Sequence, residues 1–252
     1  MTAKLYIVTG ASRGMGLEIA LQLLHSGNEL LCLSRQTSQV LERAAKAAGV
    51  PLVQLQQDLA HSEQASARLA QWLRDQPGKR FTDAALINNA GVIAPPVPLS
   101  QSEPPDLAQA LRVGLEAPLL LTATFLRCTE SWNAARRVLN ISSGLGRRAM
   151  ASQSAYCAAK AGMDHFTRCL ALDEAFKPHG ARVCSLAPGV IDTEMQIQLR
   201  AGDPALFPDR SAFTGMKERG QLASPAQAAA AVLGYLARAD FGANPVADVR
   251  DA

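Results

Sequence analysis

At 252 residues, 48% hydrophobic and 19% charged, the chain holds enough apolar material for a sizeable core, which excludes a disordered or fibrous protein. A formal net charge of +3 is too small, and the basic pairs Arg136-Arg137 and Arg147-Arg148 too short, to point to nucleic acid. Five widely spaced cysteines, Cys32, Cys128, Cys157, Cys169 and Cys184, form no Cys-x-x-Cys pair, so free thiols are expected rather than a disulfide scaffold or a zinc site. His25, His61, His165 and His179 are scattered without metal spacing. Met1 leads directly into a strand-like segment with no charged leader or long apolar span, which makes a cytoplasmic protein without a membrane segment the expectation. Nothing in the middle resembles a linker, so residues 1–252 are expected to form one domain.

In chain order, Lys4 to Thr9 reads as the first strand, and Met15 to Ser26 as a helix ended by Gly27. Glu29 to Ser34, Pro51 to Leu55 and Ala84 to Ile87 read as the second, third and fourth strands. Pro95 to Pro105 reads as a loop, Leu111 to Leu126 as an apolar helix, and Ala135 to Ile141 as the fifth strand. Ser154 to Phe176 reads as a long helix, Arg182 to Leu186 as the sixth strand, and Val246 to Val249 as a short seventh. Strands alternating with helix-length stretches, joined by right-handed crossovers, predict a three-layer α/β Rossmann fold with a doubly wound, mostly parallel seven-stranded sheet.

Three motifs carry chemistry in that frame. Thr9-Gly10-Ala11-Ser12-Arg13-Gly14-Met15-Gly16 follows the first strand and opens a helix, the context in which backbone N–H groups and the helix dipole hold a pyrophosphate. Ser143 lies thirteen residues before Tyr156, and Tyr156 and Lys160 stand at i, i+4 on one helical face. A tyrosine hydroxyl titrates near pH 10, so it needs a nearby positive charge to exchange its proton at neutral pH. At the end of the second strand, where an acid would bind an adenosine ribose and repel a 2′-phosphate, the chain reads Leu33-Ser34-Arg35. Arg35 with Arg13 could flank a 2′-phosphate through charge-assisted bonds.

In this order and spacing the motifs resemble the short-chain dehydrogenase/reductase family. In that family the pair of basic positions held here by Arg13 and Arg35 implies NADP(H). The resemblance implies a catalytic triplet of Ser143, Tyr156 and Lys160, in which Ser143 hydrogen-bonds the substrate oxygen and Lys160 also binds the nicotinamide ribose. It implies cofactor contacts from Gly10, Ser12, Arg13, Gly14, Met15, Gly16, Arg35, Asp58 and Leu59, and from Asn88, Ala90 and Gly91 of Asn-Asn-Ala-Gly. In Pro188-Gly189-Val190-Ile191-Asp192-Thr193 it implies that Pro188 and Gly189 pack near the nicotinamide, with the Ile191 backbone and Thr193 hydroxyl beside it. Asn140-Ile141-Ser142-Ser143, Ala155-Tyr156-Cys157 and the run from Ala187 to Gln196 are similar to the sepiapterin reductase and benzil reductase branch, whose members reduce vicinal diketones or α-hydroxyketones with NADPH. A small-molecule carbonyl substrate and a homodimer or homotetramer are the corresponding expectations, with a 3-oxoacyl or other alcohol dehydrogenase, or a low-turnover NADP(H)-binding sensor, as alternatives.

One departure stands out. Many members carry an asparagine in the helix before the fifth strand, and this chain has Val113-Gly114-Leu115. The missing amide would either leave room for an extra relay water or slow turnover. Asp248 falls near an aspartate that anchors the pterin in sepiapterin reductases, and equally suits a surface carboxylate in the tail. Residues 195–220, with Met195, Leu199, Phe207, Phe213 and Met216 among Gly and Pro, read as a mobile lid contacting substrate through Met195 or as plain core.

Overall fold

The computed structural model describes residues 3–251, and of Lys79 only the backbone; residues 1, 2 and 252 of the expected 1–252 unit lie outside the described residues. Seven strands, β1 (Ala3–Thr9), β2 (Asn28–Ser34), β3 (Leu52–Gln56), β4 (Phe81–Asn88), β5 (Ala135–Ile141), β6 (Arg182–Ala187) and β7 (Val246–Asp248), form one sheet in the order β3-β2-β1-β4-β5-β6-β7. Every pairing is parallel. This is the doubly wound Rossmann sheet expected from the pattern. Chain order reverses between β1 and β4, so the connections leaving their carboxyl ends diverge and open a crevice there.

Both faces of a parallel sheet are covered by helices, which is why its strands read as nearly continuous apolar runs. Within β1 the alternation still sorts side chains. Val8 faces a core with Met15 and Ile19 of α1 (Gly14–Gln22), Leu41 of α2 (Gln39–Ala48) and Val232 and Leu236 of α9 (Pro225–Ala237). Leu5 and Ile7 face the opposite core with Leu69 and Leu73 of α3 (Ser62–Arg74) and Leu121 and Phe125 of α5 (Ala117–Thr129). Each fully buried Leu, Ile or Phe contributes roughly 1.5–3 kcal/mol.

Several boundaries differ from the sequence expectation. The first helix ends at Gln22, not Ser26, because the Asn28 side chain donates to the Leu23 carbonyl at 2.8 Å and the last turn tightens through a Leu24 N–H to Leu21 carbonyl bond. β4 begins at Phe81, three residues early, because Asp83 pairs in register with Lys4 and Ala135 and its carboxylate meets Arg137 at 3.0 Å. The Pro95–Pro105 stretch is not all loop: Pro104 and Pro105 open α4 (Pro104–Leu111), where proline's missing N–H costs nothing. The expected apolar helix is interrupted at Arg112–Glu116, a π-helical stretch between α4 and α5.

Among the described residues no helix is long and apolar enough to cross a membrane, and no three His, Cys, Asp or Glu side chains cluster as metal ligands.

Candidate active site

The glycine-rich turn is tied to the loop after β4. Thr9 Oγ1 accepts from the Asn89 and Ala90 N–H groups, both at 3.0 Å, and Asn89 Nδ2 donates to the Thr9 carbonyl at 2.9 Å. Gly10 sits at φ +70, and a Cβ there would press on Ala90 Cα at 3.0 Å, so the close approach of the two loops requires a glycine. No side chain caps the start of α1, which leaves the N–H groups of its first turn to an anion. Arg13, the N-cap residue, is exposed, as is Arg35. Beside Arg35, the Ser34 hydroxyl is buried and has no hydrogen-bond partner. An orphaned hydroxyl and two exposed guanidinium groups near an uncapped helix start fit a phosphorylated ribose and its pyrophosphate.

The other expected cofactor contacts fall into distinct roles. Asp58 Oδ1 accepts from the Ala60 N–H at 2.9 Å, which shapes the turn after β3, while Leu59 is buried in the core. The Asn88 side chain is 1% exposed and donates to Asn140 Oδ1 at 2.8 Å and Thr122 Oγ1 at 3.0 Å. It ties the sheet to α5, so a contribution to a ligand passes through the backbone it holds. Thr193 Cγ2 lies 3.9 Å from where a Gly14 Cβ would stand, which brings the Pro188–Thr193 segment over the glycine-rich turn. Gly91 faces Lys160, whose Nζ would be 4.0 Å from a Cβ there.

α6 (Ser154–Ala175) carries Tyr156 and Lys160 to the carboxyl edge of β5. The Tyr156 hydroxyl stands close enough to the Ser143 side chain for Ser143 to influence its titration, and Ser143 Oγ accepts from the Leu145 N–H at 3.2 Å. Ser142, the serine just before it, is 3% exposed and donates to Asp164, which takes it out of reach of a ligand. Burial pushes the Tyr156 hydroxyl above its ordinary 10.0, and the Ser143 bond acts against that rise. Lys160 is 4% exposed, donates to the Ile141 carbonyl at 2.6 Å and lies 5.7 Å from the centre of the Tyr156 ring. Its pKa is lowered to about 8 by burial, with the Asp164 charge acting in the opposite direction. A phenol that keeps its proton at neutral pH, beside a serine hydroxyl and backed by an ammonium, can protonate an oxygen bound between the two hydroxyls.

Gly114 lies in the π-helical stretch, and a Cβ there would stand 3.0 Å from Ala159 Cβ, next to Lys160. Reciprocally, a Cβ on Gly162 would meet Leu115 at 2.9 Å. Two small residues thus let α6 close onto this stretch, so the volume vacated by the missing asparagine is in part filled by Ala159. Gly114→Asn is expected to lower stability by about 1–3 kcal/mol through overpacking, against a few tenths regained in helix propensity, and not to raise turnover. Thermal denaturation beside a turnover assay checks this.

The segment expected as a lid folds into α7 (Glu194–Arg200) and α8 (Arg210–Glu218). Leu199, Phe207 and Phe213 form a small core of their own, with Phe207 and Phe213 stacked at 5.6 Å, while Met195, Met216, Ile93 and Met150 line its partly open side. Ser152, held at φ 60, donates to the Leu206 carbonyl at 2.6 Å, and Lys217 meets Asp192 at 2.5 Å. Beside Tyr156 a small cavity is lined by Ala94, Pro95, Val97, Leu107, Gln153 and Ala155. Asp248 pairs in register with Ala187, beside Pro188, yet its carboxylate is engaged by Arg250 through Nε at 2.8 Å and Nη2 at 2.5 Å. That pairing holds Asp248 below the usual carboxylate range, and a substrate could reach the carboxylate only by displacing Arg250.

A model of the short chain dehydrogenase family matches residues 4–204. The chain belongs to the short-chain dehydrogenase family. It is 33% identical to a benzil reductase ((S)-benzoin forming) of Bacillus cereus, over 93% of this chain and 94% of that protein. A sepiapterin reductase of Xenopus tropicalis is also 33% identical, over 86% of this chain and 85% of its own length. A solved short-chain dehydrogenase/reductase from Burkholderia vietnamiensis superposes with a TM-score of 0.65 at 33% identity, over 98% of this chain and 99% of that one. As a short-chain dehydrogenase the protein is a nicotinamide-dependent oxidoreductase of the branch that includes the benzil and sepiapterin reductases.

Proposed function

We propose that this short-chain dehydrogenase is an NADPH-dependent reductase of ketones and vicinal diketones, with substrates of the benzil or sepiapterin kind. The observation that carries the reading is Tyr156 beside Ser143, with Lys160 buried behind it and donating to the Ile141 carbonyl, on a chain one-third identical to a benzil reductase. NADPH, when bound, supplies hydride to the carbonyl carbon. Ser143 donates to the carbonyl oxygen and orients it, and Tyr156 transfers its hydroxyl proton to that oxygen. Lys160 holds the nicotinamide ribose and stabilises the phenolate left on Tyr156. Arg13, Arg35 and Ser34 receive the 2′-phosphate, the first turn of α1 receives the pyrophosphate, and Ile191 and Thr193 flank the nicotinamide.

Met195, Met216, Met150 and Ile93 pack partly buried against the cluster of Leu199, Phe207 and Phe213; in this reading they form an apolar, adaptable wall on the substrate side, which suits an uncharged diketone better than a carboxylate or a phosphate ester. α7 and α8 act as the lid over it. Leu119 of α5 is 43% exposed and Leu172 of α6 66%, and these outer faces pair copies of the chain into a homodimer or homotetramer.

The test is NADPH oxidation by the purified protein with benzil, a simple vicinal diketone, sepiapterin and an acetoacetyl thioester, each repeated with NADH. Faster turnover of the diketones or sepiapterin with NADPH is the expected result. Preference for the thioester would move the protein to 3-oxoacyl reduction, and NADPH binding without turnover on any of the four would contradict the reductase reading.

A further inference from the structure

The two flanks of the turn that carries Ser143 meet at one buried carboxylate. Asp164 lies on α6 one helical turn beyond Lys160 and is 1% exposed. Its Oδ1 accepts from the Ser142 hydroxyl at 2.5 Å and from the Ser185 hydroxyl of β6 at 2.6 Å, and its Oδ2 accepts from Arg147 Nε at 3.4 Å. Ser142 immediately precedes Ser143, and Arg147 ends the Gly144–Gly146 turn that follows it. A Cβ on Gly146 would stand 2.8 Å from Asp164 Oδ2 and 3.0 Å from the Lys160 carbonyl oxygen, so the turn lies directly on the carboxylate. Arg147 also donates through Nη2 to the Ala247 carbonyl of β7 at 2.7 Å, which braces the turn from outside.

Packing alone does not ask for an acid here. Removing a carboxylate from water is costly, and an apolar side chain of similar volume would fill a helix-to-sheet interface at lower cost. What the acid adds is direction and charge. We propose that Asp164 is a positioning residue for the reduction: it fixes Ser143 beside Tyr156 by holding both flanks of the serine's turn, and it sets a negative charge behind Lys160. The inference rests on the reductase reading for its kinetic consequences and not for the titration of the lysine.

The titratable and charged groups around this pair are Tyr156 and Cys157 on α6, Arg147 on the turn, Cys184 on β6, and Asp248 of β7 beyond Arg147. Burial drives Lys160 down to about 8 and Asp164 works against it. Removing the carboxylate's charge therefore leaves burial unopposed, and the lysine loses its proton at lower pH.

Asp164→Asn keeps the volume and an oxygen for the two serines while removing the charge. The Lys160 Cε resonance of the cofactor-free protein, assigned by its loss in Lys160→Arg, reports the titration directly. Its midpoint is expected to fall by about one unit in Asp164→Asn. kcat with benzil is expected to fall about 10-fold or more at unchanged NADPH affinity, with the alkaline limb of the pH profile moved to lower pH. An unchanged lysine midpoint together with a superimposable pH profile would make Asp164 structural and overturn the proposal. Should Asp164→Asn fail to fold, Arg147→Gln removes the outer flank at a side chain 33% exposed; a lower kcat at unchanged NADPH KM supports the clamp, and an unchanged kcat refutes it. A parent protein inactive on every carbonyl would overturn the reductase reading, while the lysine titration would still decide whether Asp164 sets the charge.

Discussion

Tyr156→Phe is expected to lower kcat for NADPH-dependent carbonyl reduction by about 10²–10⁴-fold, the usual range for removing a general acid, while NADPH affinity stays close to that of the parent. The phenylalanine ring fills the same space and loses only the hydroxyl beside Ser143. The pH profile carries a second part of the expectation. Burial raises Tyr156 above its ordinary 10.0, so the phenol keeps its proton throughout the neutral range, as a proton donor must. Lys160 titrates first, at about 8, so the cation is present below that pH and lost above it. The parent's kcat/KM should therefore decline as pH rises through about 8, with the limb set by the lysine and not by the tyrosine. Residual turnover near the parent level in Tyr156→Phe would assign the proton to another donor, and a profile flat through that pH would remove Lys160's charge from the mechanism.

The motif-bearing residues were legible because each needs only local context. Gly10 follows an apolar strand, Lys160 follows Tyr156 by one helical turn, and Asn140-Ile141-Ser142-Ser143 closes a strand; periodicity and spacing place all three on their elements, and the family resemblance supplies the roles they would play. What was not legible depends on contacts between distant segments. The bond from Asn28 to Leu23 shortens α1 and leaves no mark in the apolar pattern of Met15–Ser26. The π-helical stretch at Arg112–Glu116 arises where Gly114 and Gly162 let α6 approach, and the sequence shows there only a glycine that looks like a cost. The sequence carries further local signals. Ser38 and Gly49 bracket α2 as N-cap and left-handed C-cap, and Ser224, Pro225 and Gln227 form a proline-started capping box for α9. Asp164 is another such signal, an acid at i+4 from Lys160 on the face that both catalytic candidates occupy. Arg250, two residues beyond Asp248, likewise announced a local partner for that carboxylate.

Arg35→Asp is expected to reverse the cofactor preference, with the ratio of kcat/KM for NADPH over NADH falling by about 100-fold or more. Losing charge-assisted hydrogen bonds accounts for about 1.5–3 kcal/mol, or roughly 10- to 100-fold, and the new carboxylate adds repulsion against a 2′-phosphate. The same carboxylate, at the carboxyl end of β2, can accept from the 2′-hydroxyl of NADH, so the NADH reaction should hold or improve while the NADPH reaction collapses. Geometry favours this end of the strand: Ser34 offers a buried hydroxyl with no partner, and the exposed Arg13 starts α1. Because both guanidinium groups are exposed, their attraction is screened by salt, and the parent's NADPH KM should rise with ionic strength more steeply than its NADH KM. Arg13→Ala should shift the ratio in the same direction by less, since it removes one attraction and introduces no repulsion. An Arg35→Asp protein that keeps the parent's ratio would mean that the 2′-phosphate is not read at this strand end, and the unpartnered Ser34 hydroxyl would then have to be explained by something other than the cofactor.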